Sequence, residues 1–126
     1  MAKTIILIDD DPDDLFLLKE SIGKIDPTLL CISFIYAEEA VELLSRELLV
    51  LPEYIFIDIN MPKKTGTECL VDLRKNGELK NVPIIMCSTS MPETVSRNLL
   101  SLGANFTFQK PFTVNEYLIT LRKILR

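Results

Sequence analysis

Short apolar runs alternate with amphipathic stretches along the whole chain. The runs are rich in Ile, Phe and Val, show little polar alternation, and cover residues 4–8, 30–35, 54–58, 83–87 and 105–108. Runs of this kind are typical of strands that are buried on both faces of a parallel sheet. The pattern therefore predicts five such strands.

The stretches that follow the runs carry apolar residues at helical spacing. Leu15, Leu18 and Ile22 show this spacing in the first stretch, and the predicted helices cover residues 12–23, 37–49, 65–76, 92–102 and 113–126. Pro12 suits a first helical turn, and Gly103 suits a helix end. Because parallel strands need crossover connections, five strand–helix pairs in succession predict a doubly wound α/β domain.

Length and composition predict one domain. The chain has 126 residues, of which 48% are hydrophobic, and we expect a single domain over residues 1–126 with no output domain. No apolar run approaches the roughly 20 residues that span a bilayer. The N-terminus does not resemble a signal peptide, so we expect a cytoplasmic protein that is not attached to a membrane. Cys31, Cys69 and Cys87 stand apart in apolar surroundings and are expected to be reduced and buried.

The charged residues exclude several classes of function. The formal net charge is −4, which argues against a surface that binds nucleic acid. The chain contains no histidine. Serine–histidine and cysteine–histidine catalysis and histidine-ligated metal sites are therefore excluded.

Polar residues stand where several of the predicted strands end. Asp9 and Asp10 follow the first run, Asp58 ends the third, Ser88 follows the fourth, and Lys110 follows the fifth. In open α/β sheets ligands bind at the carboxyl ends of the strands, so we expect these residues to meet at one edge. Taken alone, Asp9 and Asp10 are consistent with a solvated turn and helix cap, Ser88 with a turn or cap, and Lys110 with a surface charge, whereas Asp58 stands where a buried run ends. Their coincidence at one edge is what predicts a site.

Three carboxylates at one edge need a proton or a cation. Two such charges about 5 Å apart repel each other by roughly 3 kcal/mol at an effective dielectric constant near 20. Oxygen ligands favour a hard ion such as Mg²⁺. An aspartate beside this ion is able to attack phosphorus and form an acyl phosphate. Lys110 and Ser88 would then stabilise the transferred oxygens.

Four motifs, in this order along the chain, resemble those of the receiver domain of two-component response regulators. They are the pair Asp9-Asp10 after the first strand, the loop Asp58-Ile59-Asn60-Met61-Pro62 with its closing Gly66, the strand that ends in Ser88, and Lys110-Pro111-Phe112. The resemblance implies a flavodoxin-like sheet with the strand order 2-1-3-4-5. It also implies that Asp58 is phosphorylated by a phosphohistidine on a sensor histidine kinase or a histidine phosphotransfer protein.

The resemblance also implies roles for the matching residues. Mg²⁺ would be held by Asp10, Asp58 and the backbone carbonyl of Asn60, and Asp9 would act mostly through water. Ser88 would bond a phosphoryl oxygen, and Lys110 would pair with the phosphoryl group. The identities of Asn60 and Ser90 would set how fast the acyl phosphate hydrolyses.

Three further expectations concern the loops and the relay of the signal. The Lys110–Pro111 bond is expected to be cis, an isomer that proline makes accessible. Gly66 is expected to supply backbone freedom where the loop turns into a helix. Receivers usually carry an aromatic switch three residues before the lysine, but here that residue is Thr107. The relay must therefore use another change, and the neighbouring Phe106 is expected to belong to the core.

The sequence thus predicts a stand-alone signalling module that switches partner binding or relays phosphoryl groups. It would not be an enzyme beyond self-catalysed phosphotransfer and autodephosphorylation, and its partner surface would extend from Pro92 to Arg126. A phosphatase of the haloacid dehalogenase type is a rival, although Asn60 stands where that class has a second aspartate. A pseudo-receiver and an FMN-binding flavodoxin-like protein are further alternatives. An acidic turn after the first strand would repel the phosphate of FMN.

Overall fold

A computed structural model describes residues 3–46 and 51–125 of the chain. Within these residues, five strands form one parallel sheet with the order β2-β1-β3-β4-β5. The strands are β1 (Thr4–Ile8), β2 (Leu30–Phe34), β3 (Tyr54–Asp58), β4 (Ile84–Ser88) and β5 (Phe106–Gln109). The helices are α1 (Pro12–Ile25), α2 (Ala37–Ser45), α3 (Gly66–Arg74), α4 (Glu93–Ser101) and α5 (Val114–Ile124), and a 3₁₀ turn covers Gly77–Leu79. The predicted doubly wound, flavodoxin-like architecture is confirmed.

Side-chain caps determine where several helices begin. The Asp11 carboxylate accepts hydrogen bonds from the backbone amides of Asp13 and Asp14, so α1 begins at Pro12. Thr65 and Glu68 form a reciprocal capping box at the start of α3. The last residues of the predicted helices 37–49 and 113–126 lie outside the described residues. In β4 the strand continues through Ser88, one residue further than predicted.

The sheet separates two hydrophobic cores. Ile6 and Ile8 of β1 belong to the core that also includes buried residues of α2, α3 and α4. Ile5 and Leu7 point the other way, into the core formed with α1 and α5. Successive residues of a strand face opposite sides, so a continuous apolar run fills both cores.

The prediction that every strand is buried on both faces is wrong for the two edge strands, β2 and β5. In β5 Phe108 alone of the four residues is buried. Strand β2 pairs with β1 on one side and forms the other edge of the sheet. Leu30 is 52% exposed and Ile32 37% exposed. An edge strand has a neighbour on one side only, and a local apolar run does not show which strand takes that place.

The cysteines are reduced, as predicted, but not all are buried. Cys69 and Cys87 are buried, whereas Cys31 on the edge strand is partly exposed. Burial raises the pKa of the Cys69 thiol to about 12 and also raises that of Cys87. Among residues 3–46 and 51–125, no helix has the length and apolar character that crossing a membrane requires.

Arg74 connects several chain segments at the edge of the domain opposite the predicted site. Its guanidinium donates to the carbonyl oxygens of Gly103 (2.9 Å), Leu79 (2.8 Å) and Val82 (2.9 Å), and to Asn105 Oδ1 (2.8 Å). These bonds connect the last turn of α3 with the chain before β4 and with the α4–β5 connection. One side chain therefore satisfies four acceptors on separate segments.

Replacing Arg74 by alanine is expected to lower the free energy of unfolding by about 2–4 kcal/mol, because several acceptors lose their donor at once. Urea unfolding measures the change. Arg97→Ala is the matched control: Arg97 pairs with Glu93 on the surface of α4, where both side chains are at least 70% exposed. Its loss should cost at most about 0.5 kcal/mol. Equal costs for the two variants would contradict the structural role of Arg74.

Candidate functional site

Three carboxylates meet at the carboxyl ends of β1 and β3. Asp9 directly follows β1 and Asp58 is the last residue of β3, and each is only 5% exposed. The two strands are neighbours in the sheet, with Ile8 paired with Ile57. Asp10 is exposed, but one of its carboxylate oxygens lies within 4.8 Å of an oxygen of both other acids. The structure therefore brings the three predicted acids together.

Lys110 reaches this cluster from the far side of β4. Its backbone amide donates to the Ser88 carbonyl at 2.8 Å, which places the residue just beyond β5. Its Nζ donates to Asp9 Oδ2 at 2.8 Å and lies 3.4 Å from Asp58 Oδ2. The lysine is 7% exposed, so its charge is neutralised inside the domain.

Asp14 is a member of the cluster that the sequence analysis missed. Its Oδ2 accepts a hydrogen bond from Lys110 Nζ at 2.7 Å. The sequence carried a weak signal, because Asp14 lies in the acidic stretch of residues 9–14 at the predicted start of a helix. Only the position of Lys110, 96 residues away, shows that the Asp14 side chain meets the site.

The electrostatics of the cluster show an excess of negative charge. Burial and, to a smaller extent, the charge of Asp9 raise the pKa of Asp58 to about 6 against the opposing effect of Lys110. Burial also raises the pKa of Asp9. Burial alone would lower the pKa of Lys110, but its hydrogen bonds to Asp14 and Asp9 outweigh that effect and raise it. One permanent ammonium thus faces several carboxylates, and a further cation is favoured.

Asn60 connects Ser88 with Asp58. The backbone amide of Asn60 is 3.4 Å from Asp58 Oδ1, and its side-chain Nδ2 donates to Ser88 Oγ at 3.1 Å. Ser88 Oγ also accepts a weaker bond from the Ser90 amide at 3.4 Å. With both lone pairs engaged, the Ser88 hydroxyl keeps its hydrogen as a donor.

Gly66 lies against the backbone at the end of β3. A Cβ at this position would stand 2.1 Å from the Asp58 carbonyl oxygen and 2.7 Å from the Ile59 Cα. Among the glycines of the described chain, Gly103 has a positive φ, whereas Gly66 does not. The expectation that Gly66 supplies unusual backbone freedom is therefore wrong. Close approach of two backbone segments is what requires a glycine here.

Two expectations about the β5 region have different outcomes. The described residues contain no cis peptide bond, so the predicted cis Lys110–Pro111 bond is wrong and the bond is trans. The trans isomer is the lower in energy by about 0.5–1 kcal/mol. Phe106 packs against the core formed with α1 and α5, as predicted. Thr107 Oγ1 forms a 2.5 Å hydrogen bond with Ser96 Oγ on α4.

The residues of the cluster fit a hard divalent cation. The donors are carboxylate oxygens on Asp9, Asp10 and Asp58, and their negative charge exceeds what Lys110 neutralises. Oxygen donors of this kind suit Mg²⁺ or Mn²⁺.

Replacing Lys110 by methionine is expected to strengthen the binding of divalent ions about tenfold. The Lys110 ammonium already contacts Asp9 and lies near Asp58, so it competes with the divalent ion for these two carboxylates. The loss of one charge-assisted hydrogen bond corresponds to a change of about tenfold in affinity. Titration calorimetry with Mg²⁺ measures the affinity. Lys64→Met, which removes a lysine paired with Asp72 on α3, is the control and should leave the affinity unchanged. Unchanged or weaker binding in Lys110→Met would show that the ammonium does not compete with the ion.

Comparison with known proteins identifies the family. The model of the response regulator receiver domain matches residues 5–122. Response regulator Rcp1 of Synechocystis is 30% identical over 100 residues, which cover 72% of this chain and 65% of that protein. The transcriptional regulatory protein CpxR of Klebsiella pneumoniae is 32% identical over 122 residues, which cover 97% of this chain and 49% of that protein. The chain therefore spans between about half and two thirds of these relatives.

Solved structures show the same fold. The phosphorylated cyanobacterial phytochrome response regulator RcpA superposes with a TM-score of 0.85 at 25% identity, over 98% of this chain and 91% of that chain. The Mn²⁺-bound form of Rcp1 superposes with a TM-score of 0.82 at 25% identity, over 97% and 91%. The chemotaxis protein CheY4 of Vibrio cholerae, at 22% identity and a TM-score of 0.82, supports the fold alone.

The family match also decides between the classes of function considered for the sequence. Receiver domains are signalling domains rather than classical enzymes, and they accept phosphoryl groups from histidine kinases and bind divalent metal ions. This excludes the phosphatase and FMN-binding interpretations. Because the match extends over nearly the whole chain and the sheet has the order of that fold, the chain belongs to the receiver domain family of two-component response regulators.

Proposed function

We propose that Asp58 accepts a phosphoryl group from a phosphohistidine on a sensor histidine kinase or a histidine phosphotransfer protein. The observation that supports this proposal most directly is the position of Asp58 at the end of β3. Asp58 is buried beside Asp9, and the Lys110 ammonium lies 3.4 Å from its Oδ2. A carboxylate in this place has a neutralising cation for the oxygens that it receives. Asp9 is less well placed as a nucleophile, because both of its oxygens already accept hydrogen bonds, at 2.9 Å and 2.8 Å.

The transfer is a displacement at phosphorus. A carboxylate oxygen of Asp58 attacks the phosphorus, the bond from phosphorus to the imidazole nitrogen breaks, and its electron pair stays on that nitrogen. Lys110 donates to a phosphoryl oxygen, and the free hydrogen of the Ser88 hydroxyl donates to another. Attack by water on the acyl phosphate later restores the carboxylate and releases inorganic phosphate.

Mg²⁺ is the ion that we propose for the cluster. Asp10, Asp58 and the Asn60 backbone carbonyl would bind it directly. Asp9 would act through water, since its Oδ1 accepts from the Asp11 amide at 2.9 Å and its Oδ2 from Lys110. When bound, the ion offsets the charge of the attacking carboxylate and the phosphoryl oxygens.

We further propose that the domain acts in the cytoplasm and does not bind nucleic acid, and that phosphorylation switches the binding of another protein or passes the group along a relay. The partner surface would be the segment from Pro92 to Arg126. In its described part, Val95, Leu100, Phe112 and Ile119 are large apolar side chains that are exposed to solvent.

Intact-mass measurement after incubation with acetyl phosphate and Mg²⁺ tests the proposal. We expect one added phosphoryl group per chain, and none when a chelator is in excess. Turnover of a small phosphomonoester should be absent. If no adduct forms under conditions that label an authentic receiver domain, Asp58 is not a phosphoacceptor and the chain is a pseudo-receiver.

A further inference from the structure

Asp14 makes the shortest contact of the Lys110 ammonium. The distance from Nζ to Asp14 Oδ2 is 2.7 Å, against 2.8 Å to Asp9 Oδ2 and 3.4 Å to Asp58 Oδ2. We propose that Asp14 is a positioning residue that holds Lys110 in place while a divalent ion occupies the neighbouring acids. The inference rests on the proposed function, in which Lys110 and the ion act on the same phosphoryl group.

The three carboxylates around Lys110 differ in whether they could also bind a metal ion. An ammonium has three hydrogens to donate, and here three carboxylates surround it. Asp9 and Asp58 belong to the group of acids whose oxygens lie close enough to share a metal ion, whereas Asp14 does not. A divalent ion therefore takes up negative charge that otherwise neutralises Lys110. Asp14 is the carboxylate that remains for the lysine.

The first turn of α1 holds Asp14 in position. Its backbone amide lies 3.4 Å from the capping carboxylate of Asp11, and the next residue, Leu15, is buried in the core shared with α5. The Asp14 side chain is 31% exposed, whereas those of Asp9 and Asp58 are 7% exposed. Asp14 thus approaches Lys110 from the helix side, while the other two acids approach it from the ends of the strands.

Asp14 reduces the electrostatic repulsion between Lys110 and a divalent ion in the site. Lys110 and a divalent ion both carry positive charge and both lie against Asp9 and Asp58, so they repel each other. A negative charge on the opposite side of the ammonium reduces that repulsion. Without Asp14, Lys110 would interact more strongly with Asp9 and Asp58 and would compete with the ion for them.

The simpler interpretation is that Asp14 only contributes a favourable charge to the start of a helix. Asp13 permits the comparison, because it lies in the same turn of α1 and is exposed. Among the described residues it takes part in no ion pair. Asp13→Asn therefore removes the same charge from the same turn without touching Lys110.

A double-mutant cycle of Asp14→Asn and Lys110→Met, read out by Mg²⁺ affinity in titration calorimetry, tests the proposal. We expect Asp14→Asn to weaken Mg²⁺ binding about tenfold in the wild-type background, and less than about twofold when Lys110 is replaced by methionine. Asp13→Asn should change the affinity by less than about twofold. Circular dichroism confirms that each variant is folded, and Lys110→Gln replaces Lys110→Met in the cycle if the latter does not fold.

The proposal is overturned if Asp14→Asn weakens binding by the same factor in both backgrounds, or by no more than Asp13→Asn does. Either result would show that Asp14 acts through its general charge and not through Lys110. Metal binding requires no phosphoryl transfer. The cycle therefore remains decisive even if acetyl phosphate fails to label the protein, which would contradict the proposed function alone.

Discussion

The Asp58→Asn variant is expected to take up no phosphoryl group from acetyl phosphate under conditions that label the wild type. The amide nitrogen of asparagine does not attack phosphorus, and no other acid of the cluster occupies the end of β3. Intact mass measures the adduct. The matched control is Asp13→Asn, which changes an exposed acid of α1 and should be labelled like the wild type. Labelling of Asp58→Asn to the same extent as the wild type would show that another residue accepts the phosphoryl group.

The same substitution should raise the stability of the metal-free protein. The folded-state pKa of Asp58 is raised from 3.8 to about 6, first by burial and then by Asp9. The folded protein therefore binds this proton more tightly than the unfolded chain, and its stability decreases as the pH rises from about 4 to about 6. An asparagine side chain does not titrate, so the Asp58→Asn variant lacks this loss.

Urea unfolding with a chelator present, at a series of pH values, measures this effect. Above the folded-state pKa the variant should be more stable than the wild type by about 1–3 kcal/mol. Near the acid end of the series, where Asp58 is protonated in both states, the difference should shrink. A difference that does not depend on pH would show that Asp58 ionisation does not destabilise the fold.

Gly66→Ala is the second variant with a large expected effect, a loss of at least about 3 kcal/mol in the free energy of unfolding. The added methyl group would stand 2.1 Å from the Asp58 carbonyl oxygen and 2.8 Å from the Asp58 carbonyl carbon. These are backbone atoms at the end of a buried strand, so the β3–α3 loop has to move. The loop carries Asn60, and we expect the variant to lose phosphorylation as well.

Gly23→Ala is the control for the glycine prediction. Gly23 lies in α1, and a Cβ there has no heavy atom within 4 Å. Alanine should stabilise the helix by about 0.5–1 kcal/mol. Urea unfolding of the two variants compares them directly. If the free energy of unfolding of Gly66→Ala lies within about 1 kcal/mol of the wild-type value, the loop has room for a methyl group that the geometry does not show.

Helix starts and strand positions were predictable because they depend on neighbouring residues. Asp11 before Pro12, and Thr65 before Gly66, begin helices through hydrogen bonds that span two or three positions. The apolar runs identified all five strands of the described chain to within a residue at each end. The runs alone do not show which strand lies at an edge. The strand order implied by the family resemblance puts β2 there, but the run of β2 did not predict the exposure of Leu30 and Ile32.

The sequence by itself determined the order of strands and helices, and it placed Asp9, Asp10, Asp58, Ser88 and Lys110 at the ends of strands that share one edge of the sheet. Periodicity and chain order are local properties, and they are sufficient for this result. Only the tertiary structure decided which of these groups touch.

Contacts inside the site join distant parts of the chain. Asp14 meets Lys110 across 96 residues, and Asn60 meets Ser88 across 28. Such contacts depend on how the helices cross the sheet and on how far each side chain reaches, which no local pattern records. The same holds for the trans Lys110–Pro111 bond and for the close approach at Gly66. The sequence therefore specified the chemical groups of the site, and the packing of α1 and the loops against the sheet specified their partners.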